Sequence, residues 1–182
     1  MLSILPLVKD RSALIRLVVQ ISLGVLLLWA MSQISGPLKP VPMTLQTMGV
    51  MALGLLYHRR VAVYSVATYL VLGACGLPML ANGSGGIHHF FGPTGGYLLG
   101  FLAAVLTMTT LREYFKSDSV FSLIFYCLLG TLVIYIFGIS WLSVFIGVKQ
   151  AVVLGLLPFL IPGFIKALLL SAAVRYVKKS PA

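Results

Sequence analysis

The stretch that decides the fold class is VFSLIFYCLLGTLVIYIFG, at residues 120–138. None of its side chains is charged. One crossing of a lipid bilayer by an α-helix takes about 20 consecutive apolar residues. The stretch therefore predicts a transmembrane helix.

The rest of the chain has a similar composition. Of its 182 residues, 60% are apolar and 9% are charged, whereas a soluble domain carries about a quarter charged residues. This excludes a soluble globular domain, and the high apolar content excludes disorder. The apolar runs are long and continuous, which argues against an outer-membrane barrel with its short alternating segments. We therefore predict an all-α, polytopic membrane protein in which residues 1–182 form a single membrane domain.

Working outward from residues 120–138, the apolar runs predict about six transmembrane helices. Prolines at 37, 40 and 42 exclude a regular helix between the first two spans, and a glycine-rich loop at 78–94 joins the third and fourth. The apolar stretch 141–157 contains Lys149 and Gln150 and is either a continuation of the fifth span or a separate helix. The predicted spans are residues 14–34, 43–57, 61–77, 95–111, 120–138 and 162–177.

Basic residues are distributed unequally between the two sides of this arrangement. With six spans, one side has ten basic residues, the other has only Lys39 and Lys149, and Lys166 lies within a span. Cytoplasmic loops are enriched in Lys and Arg, so both termini are predicted to be cytoplasmic and the glycine-rich loop faces outward. The net charge of +10 then reflects loops beside anionic lipid, not a nucleic-acid partner. The ten residues are Lys9, Arg11, Arg16, Arg59, Arg60, Arg112, Lys116, Arg175, Lys178 and Lys179.

Acidic residues and catalytic motifs are scarce. The three acids, Asp10, Glu113 and Asp118, all lie outside the apolar runs, which argues against a carboxylate proton relay and against hydrolytic enzymes that depend on carboxylates. Cys75 and Cys127 lack C-x-x-C spacing and are predicted to be packed thiols. No phosphate-binding loop motif occurs. We therefore expect no catalytic residue, no metal site and no cofactor.

The loop between the third and fourth spans is a candidate ligand site. Residues 82–86 read NGSGG, and residues 92–97 read GPTGGY. Non-helical backbone at membrane depth is tolerated only where it is buried in protein or lines a cavity, and glycine lets backbone approach a ligand closely. Thr94 is a plausible N-cap for the fourth span, whose N-terminus attracts an anion. The alternative is an ordinary flexible surface loop.

Lys166 is the most informative single residue. A charge at membrane depth costs roughly 2.5–3.5 kcal/mol on insertion scales. Lys166 precedes Arg175 by nine residues, or about 13 Å of helix, which places it in the outer half of the membrane. No acid in the chain is placed to pair with it. It therefore either snorkels to the outer surface or acts as counter-ion to an anionic ligand.

Four other residues lie near the outer side. Gln46 and Trp141 each have two interpretations, and His88 and His89 are expected to have a surface role. The Gln46 amide either binds a ligand or bonds a neighbouring helix. Trp141 either belongs to an interfacial aromatic belt or stacks on a ligand. His88 and His89 lack further ligand-type neighbours, so we expect a surface role at the interface and not a metal site.

Four sequence segments recur together in a known family. They are PVPMTLQT at 40–47, GACGLP at 73–78, GSGG at 83–86 and GPTGGYLLGF at 92–101. With Tyr135, Gly138, Trp141 and the tail LPFL at 157–160 that leads to Lys166, they resemble the BioY family. That family is the biotin-binding membrane (S) component of energy-coupling factor (ECF) vitamin transporters. The first and fourth segments are the most specific in combination.

This resemblance implies six helices around a biotin pocket that opens to the outside, with the glycine-rich loop capping the ligand. It implies biotin uptake across the cell inner (plasma) membrane, with biotin as partner and membrane lipid around the chain. Energy would come from an ECF coupling protein with two ATPase subunits, or the chain would act alone as a facilitator. The resemblance and the residue chemistry together give the candidate binding residues Lys166, Asn82, Gly83, Ser84, Gly85, Tyr97, Gln46 and Trp141.

The chain departs from the family pattern in two places. The family tail usually reads Pro-Gly-Asp-x-x-Lys, and here Gly163 stands at the Asp position before Lys166. Asn82, Gln46 or backbone carbonyls are left to accept from the ureido group. S components also usually carry Ala-x-x-x-Ala where the first span docks on the coupling protein. Residues 25–29 here read VLLLW, which argues against docking in that mode.

Two further hypotheses compete with biotin uptake. One is an S component or facilitator for another small carboxylated vitamin. The other is a membrane-embedded enzyme acting on lipid or isoprenoid, which the lack of intramembrane acids and of a His/Cys catalytic group argues against. A purely structural assembly subunit is disfavoured by the cavity-type loops and by the intramembrane Lys166.

The topology is testable by cysteine accessibility. A membrane-impermeant thiol reagent added outside intact cells should label a cysteine at position 84 in the glycine-rich loop, and should not label one at position 117. Both should react after the membrane is permeabilised, which controls for burial. Labelling at position 117 alone in intact cells would contradict cytoplasmic termini.

Overall fold

The computed structural model describes residues 11–179, so Lys9 and both chain termini lie outside the described part. This part is mostly helical, as predicted. The proline-containing segment forms an antiparallel pair of two-residue strands, in which Ser35 pairs with Thr44 and Gly36 with Met43. The elements are α1 (Arg11–Gln33), β1 (Ser35–Gly36), β2 (Met43–Thr44), α2 (Gln46–Leu56), α3 (Arg59–Ala74), a 3-10 turn (Ala81–Gly83), α4 (His88–Phe91), α5 (Gly95–Phe115), α6 (Val120–Ile146), α7 (Val148–Gly155) and α8 (Leu157–Lys179).

Within residues 11–179, four helical segments are long and apolar enough to cross a membrane. They are α1, α5, α6 and the run 148–177 that includes α7 and most of α8. The helices at the predicted second and third spans have only 11 and 16 residues, fewer than the roughly 20 of a full crossing. The chain is therefore a multi-pass membrane protein, and the predicted count of about six spans is approximate.

Several predicted boundaries were wrong. The second span begins at Gln46, because residues 43–44 belong to β2. Helix α6 continues past residue 138 to Ile146 and ends where Gly147 adopts a φ of +80°, a conformation that glycine adopts without steric cost. The stretch 141–157 is thus partly a continuation of the fifth span and partly a separate helix.

The last helix also begins earlier than predicted. Helix α8 starts at Leu157, and Pro162 lies inside it instead of at its first turn. Proline removes one backbone hydrogen bond from a helix, so the sequence favoured a start at that residue. One continuous helix therefore contains the apolar residues on both sides of Pro162.

Helices α5 and α6 make the most extensive contact between helices in the described chain. A Cβ at Gly96 would lie 2.4 Å from the carbonyl oxygen of Phe137, and one at Gly138 would lie 2.3 Å from the Tyr97 ring. Only hydrogen atoms at these two positions leave room for the opposite helix. The crossing therefore depends on two glycines, one on each helix, and each of them faces the opposite helix.

Helix α1 packs on the bundle along its second half only. Its buried residues are Gly24, Val25, Leu28 and Ser32. Gly24 lies against α3, where an added Cβ would be 2.5 Å from Ser65 Oγ. The first half of α1 buries none of its described side chains in the bundle, which leaves a groove beside α3 and α5.

Replacing Gly138 by Ala should lower the thermal stability of the detergent-purified protein. The methyl group forces the Tyr97 ring to move, and overpacking of this kind costs about 1–3 kcal/mol. Helix propensity by itself predicts the opposite sign, since Ala is better than Gly by about 1 kcal/mol in a helix. Ser140→Ala, at an exposed position of the same helix, is the control and should not lower the melting temperature. A Gly138→Ala variant as stable as Ser140→Ala would contradict the close crossing.

Candidate functional site

A small cavity lies inside the bundle among α2, α5, α6 and α8. Its volume is about 60 Å³. Three of the predicted site residues, Gln46, Tyr97 and Lys166, contribute to its wall together with Thr47 and Tyr135. The structure thus brings together residues from four helices that are far apart in the sequence.

A second cavity of about 390 Å³ lies beside the first, under the glycine-rich loop. The predicted site residues Asn82 and Ser84 line it, together with His88 and His89. The two cavities are neighbours, because four residues line both of them. These shared residues are Pro42, Gln46, Thr94 and Leu98.

The ammonium group of Lys166 points toward the start of α2. It donates to the carbonyl oxygen of Thr44 at 2.6 Å and to Thr47 Oγ1 at 3.1 Å. The lysine is half-buried, and its head lies inside the bundle, not at the lipid surface. This geometry argues against snorkelling to the outer surface. An ammonium carries three donors, so one remains beyond the two protein acceptors.

Gln46 is part of a buried hydrogen-bond network that joins α2 to α3. Its Oε1 accepts from Thr44 Oγ1 at 3.0 Å, and its Nε2 donates to the hydroxyl of Tyr69. The Tyr69 hydroxyl in turn donates to the carbonyl of Met79 at 2.7 Å. Gln46 therefore links two helices and lines the cavity at the same time, so both interpretations of its amide find support in the geometry.

Two tyrosine hydroxyls fix the helices around the inner cavity. Tyr97 donates to the carbonyl of Gly155 at 2.8 Å, and Tyr135 donates to that of Phe159 at 2.8 Å. These bonds connect α5 and α6 to the end of α7 and the first turn of α8. The phenol rings form the apolar part of the wall, and their hydroxyls already have protein acceptors.

The glycine-rich loop is held by its own polar groups. Asn82 has a φ of 58°, and its Oδ1 accepts from Ser35 Oγ. Ser84 Oγ donates to the carbonyl of Ala81 at 2.7 Å. The carbonyl of Met79 accepts from Ser32 Oγ at 2.8 Å. The loop is therefore fastened to the C-terminal end of α1 and to β1.

Gly83 and Gly85 do not line either cavity. At Gly85 the loop backbone closely approaches the backbone of Leu77, not a cavity that could hold a ligand. A Cβ there would lie 2.1 Å from the carbonyl oxygen of Leu77. The glycine at this position is needed for loop packing, a role that the sequence did not indicate.

Trp141 and Thr94 hold the other end of the loop. The Trp141 Nε1 donates to the carbonyl of Gly92 at 2.9 Å, and Trp141 lines neither cavity. Thr94 is at the N-cap position of α5, but its hydroxyl makes no capping bond. It donates instead to the carbonyl of His89 at 3.1 Å, so the predicted side-chain cap is wrong.

The two histidines line the outer cavity side by side, with ring centroids 4.2 Å apart and ring planes tilted by 39°. Burial, and to a lesser extent the neighbouring His88, lower the pKa of His89. Both effects favour the neutral form of the His89 ring. In the part of the chain that the structure describes, no group of three His, Cys, Asp or Glu residues is close enough to hold a metal ion.

Residue-by-residue reasoning missed four contributors to the site. Thr44 and Thr47 accept from Lys166, Tyr69 orients Gln46, and Tyr135 lines the inner cavity. Thr47 had a signal in the sequence, because an intramembrane lysine without an acid needs neutral acceptors, whereas Thr44 accepts through its backbone carbonyl, which any residue supplies. Tyr69 lies in an apolar helix, and no neighbouring residue in the sequence marks it as part of a site.

The glycine at the position of the family's aspartate also has a structural explanation. A Cβ at Gly163 would lie 2.7 Å from the hydroxyl oxygen of Tyr135. That hydroxyl occupies the place next to the helix where a side chain at 163 would begin. The tyrosine and a larger residue at 163 therefore compete for the same space.

A comparison with known families gives a match along nearly the whole chain. A family model described as the BioY family matches residues 7–182. A probable biotin transporter of Rickettsia prowazekii is 34% identical over 161 residues, which cover 88% of this chain and 82% of that protein. A probable biotin transporter of Pyrococcus horikoshii is 40% identical over 139 residues, covering 75% and 80% of the two chains.

A solved structure has the same fold. It is described as the S-component for biotin from an ECF-type ABC transporter, and it superimposes with a TM-score of 0.85. The match covers 95% of this chain and 96% of that chain at 28% identity. These relatives are named as transporters and transporter components, not as enzymes.

Replacing Gly85 by Ala should loosen the glycine-rich loop. The methyl group displaces the Leu77 carbonyl, so amide hydrogen exchange across residues 77–86 should become faster while α6 is unchanged. Gly36→Ala is a matched control on the same side of the molecule, because its Cβ would lie 3.7 Å from the nearest side-chain atom, Met43 Cβ. Equal exchange in both variants would contradict the loop packing described above.

Proposed function

Since the chain belongs to the BioY family, we propose that it binds biotin from the outer side of the plasma membrane and carries it inward. The observation that best supports this function is the half-buried ammonium of Lys166 at the wall of a cavity within an apolar helix bundle. Small-molecule sites of this kind are mostly apolar and have a few polar groups that fix the orientation of the ligand. Biotin has both an apolar body and polar ends.

We infer that biotin occupies both cavities. The inner cavity of about 60 Å³ has room for one or two water molecules, each of which takes about 30 Å³ in the liquid. The outer cavity of about 390 Å³ is large enough for much of a ligand of this size, and the two share Gln46 and Leu98 in their walls. Binding therefore requires these shared side chains to separate, so that one ligand reaches Lys166 from the loop.

The polar groups suit the chemistry of biotin. Lys166 has one donor beyond those directed at Thr44 and Thr47, and biotin offers a ureido oxygen and a valerate carboxylate as acceptors. Asn82 and Ser84 line the outer cavity and supply polar atoms for the other end of the ligand. With Gly163 in place of the family's aspartate, the ureido N–H groups are left to Asn82, Gln46 or backbone carbonyls.

We propose that the loop at 82–86 covers bound biotin. Its fastening to Ser32 and Ser35 and its place over the outer cavity support this role. The loop then opens to the outer side before biotin binds. It closes again when its hydrogen bonds to the end of α1 re-form.

The energy for transport is proposed to come from an ECF coupling protein with two ATPase subunits, or the chain acts alone as a facilitator. Val25 and Leu28 of the first span are buried in the bundle, whereas Leu26 is exposed. A docking surface on this helix would therefore consist of large aliphatic side chains in place of small ones. This difference argues for docking in a mode that does not use Ala-x-x-x-Ala.

The cytoplasmic location of both termini remains a proposal that rests on the basic residues. The first turn of α3, which carries Arg59 and Arg60, and the end of α5, which leads to Lys116, meet the first half of α1 with Arg16 at one groove, so these basic residues share one end of the bundle. Lys39 and Lys149 belong to the other end. This grouping supports the sidedness predicted from the sequence.

Lys166→Met should weaken biotin binding strongly. The substitution keeps an apolar stem of similar volume but removes a charged donor, and one such hydrogen bond is worth about 1.5–3 kcal/mol, or roughly 10- to 150-fold in Kd. The measurement is titration of labelled biotin on detergent-purified protein. Displacement by unlabelled biotin, and not by another carboxylated vitamin such as pantothenate, separates the two vitamin hypotheses.

Lys149→Met is the matched control, because it removes an exposed cation on the same side of the molecule and outside both cavities. It should leave the Kd unchanged. A melting curve for each variant separates a loss of folding from a loss of binding. An unchanged Kd in well-folded Lys166→Met protein would remove this lysine from the site.

A further inference from the structure

A further cavity in the described chain lies at the end of the bundle opposite the proposed biotin site. It is a groove of about 890 Å³ between the first half of α1, the start of α3 and the end of α5. It shares no lining residue with the two cavities near Lys166. The biotin pocket therefore does not account for it.

The polar end of the groove is positively charged. Three arginines line it, Arg16 from α1 and Arg59 and Arg60 from the first turn of α3, together with His58. Among the described residues of the lining, Glu113, at the end of α5, is the only acid. Arg16 and Arg59 are exposed to solvent in the described chain. The net charge at this end of the groove suits an anionic group.

The groove becomes apolar toward the middle of the bundle. Val63 follows Arg59 by one helical turn, about 6 Å deeper, and Leu106 precedes Glu113 by two turns, about 10 Å deeper. Both line the groove. Leu14 and Tyr64 in the same wall are each 43% exposed. The groove therefore has a basic head region and an apolar tail region.

The position of the groove identifies the kind of occupant. It lies between helices of a membrane-spanning bundle, and it exists because the first half of α1 buries no described side chain. Bilayer lipid has free access to such a gap. Basic pockets between transmembrane helices at the membrane surface bind acidic lipid headgroups, and a cation near an anionic surface adds roughly 1 kcal/mol of attraction.

We propose that this groove is a binding site for one anionic phospholipid. Its phosphodiester lies against Arg16 and Arg59, and an acyl chain runs along the wall formed by Leu17, Val63 and Leu106. The lipid then fills the space between α1 and the rest of the bundle that residues 11–179 leave open.

The test compares phosphatidylglycerol with phosphatidylcholine of identical acyl chains, titrated onto the full-length purified protein and counted as bound lipids by native mass spectrometry. Phosphatidylglycerol should bind about tenfold more tightly or better. Arg16→Gln and Arg59→Gln should each weaken its binding by roughly fivefold. Glu113→Gln removes an acid from the lining and should strengthen phosphatidylglycerol binding by a similar factor.

Lys116→Asn is the matched control. It removes a cation at the same end of the bundle but outside the groove, and asparagine tolerates the φ of 49° at this position. Its affinity for phosphatidylglycerol should equal that of the unmodified chain. Biotin binding should be unchanged in all four variants, so a failure of the lipid proposal is distinguishable from a failure of the transport proposal.

Three results would overturn the proposal. Equal affinity for the two lipids would show that the groove does not select by charge, as expected of a surface reserved for a protein partner. Arginine variants that behave like Lys116→Asn would place the bound lipid elsewhere. Competition by glycerol phosphate at the same concentration as the lipid would show a site for small anions without a role for the acyl chain.

Discussion

The close contact between α5 and α6 is the constraint on which the rest of the structure depends. Because Gly138 has no side chain, the ring of Tyr97 fits between the two helices, and its hydroxyl reaches the carbonyl of Gly155. The same crossing places Trp141 against Gly96, from where its ring nitrogen holds the loop at Gly92. One helix crossing thus positions the wall of the inner cavity and one end of the loop above it.

A second requirement is the placement of a cation inside an apolar bundle. Burying a charge is costly unless the charge is paired and hydrogen-bonded, and Lys166 has a carbonyl and a hydroxyl as acceptors instead of an acid. Neutral acceptors leave the positive charge uncompensated, which suits a ligand that brings its own acceptor. The polar residues around it, above all Gln46 and Tyr69, are hydrogen-bonded to one another, which restrains their orientation.

Helix α1 contributes residues to both ends of the bundle. Its second half donates from Trp29 and Ser32 to the carbonyls of Pro78 and Met79 and so holds the loop over the outer cavity. Its first half borders the basic groove. The two proposed ligands, biotin and an anionic phospholipid, would therefore contact regions that are joined by one helix.

The sequence by itself determined the membrane location, the helical class, the approximate span positions and the identity of several cavity residues. These follow from local properties, since an apolar run and an isolated lysine are visible without knowing what surrounds them. The partners of Lys166 lie 119 and 122 residues away. Those partners, the contact of Gly85 with Leu77 and the competition between Gly163 and Tyr135 were decided by the tertiary structure alone. The physical reason is that hydrophobic periodicity reports which face of a helix is buried, whereas the atoms that meet across an interface depend on how the helices cross.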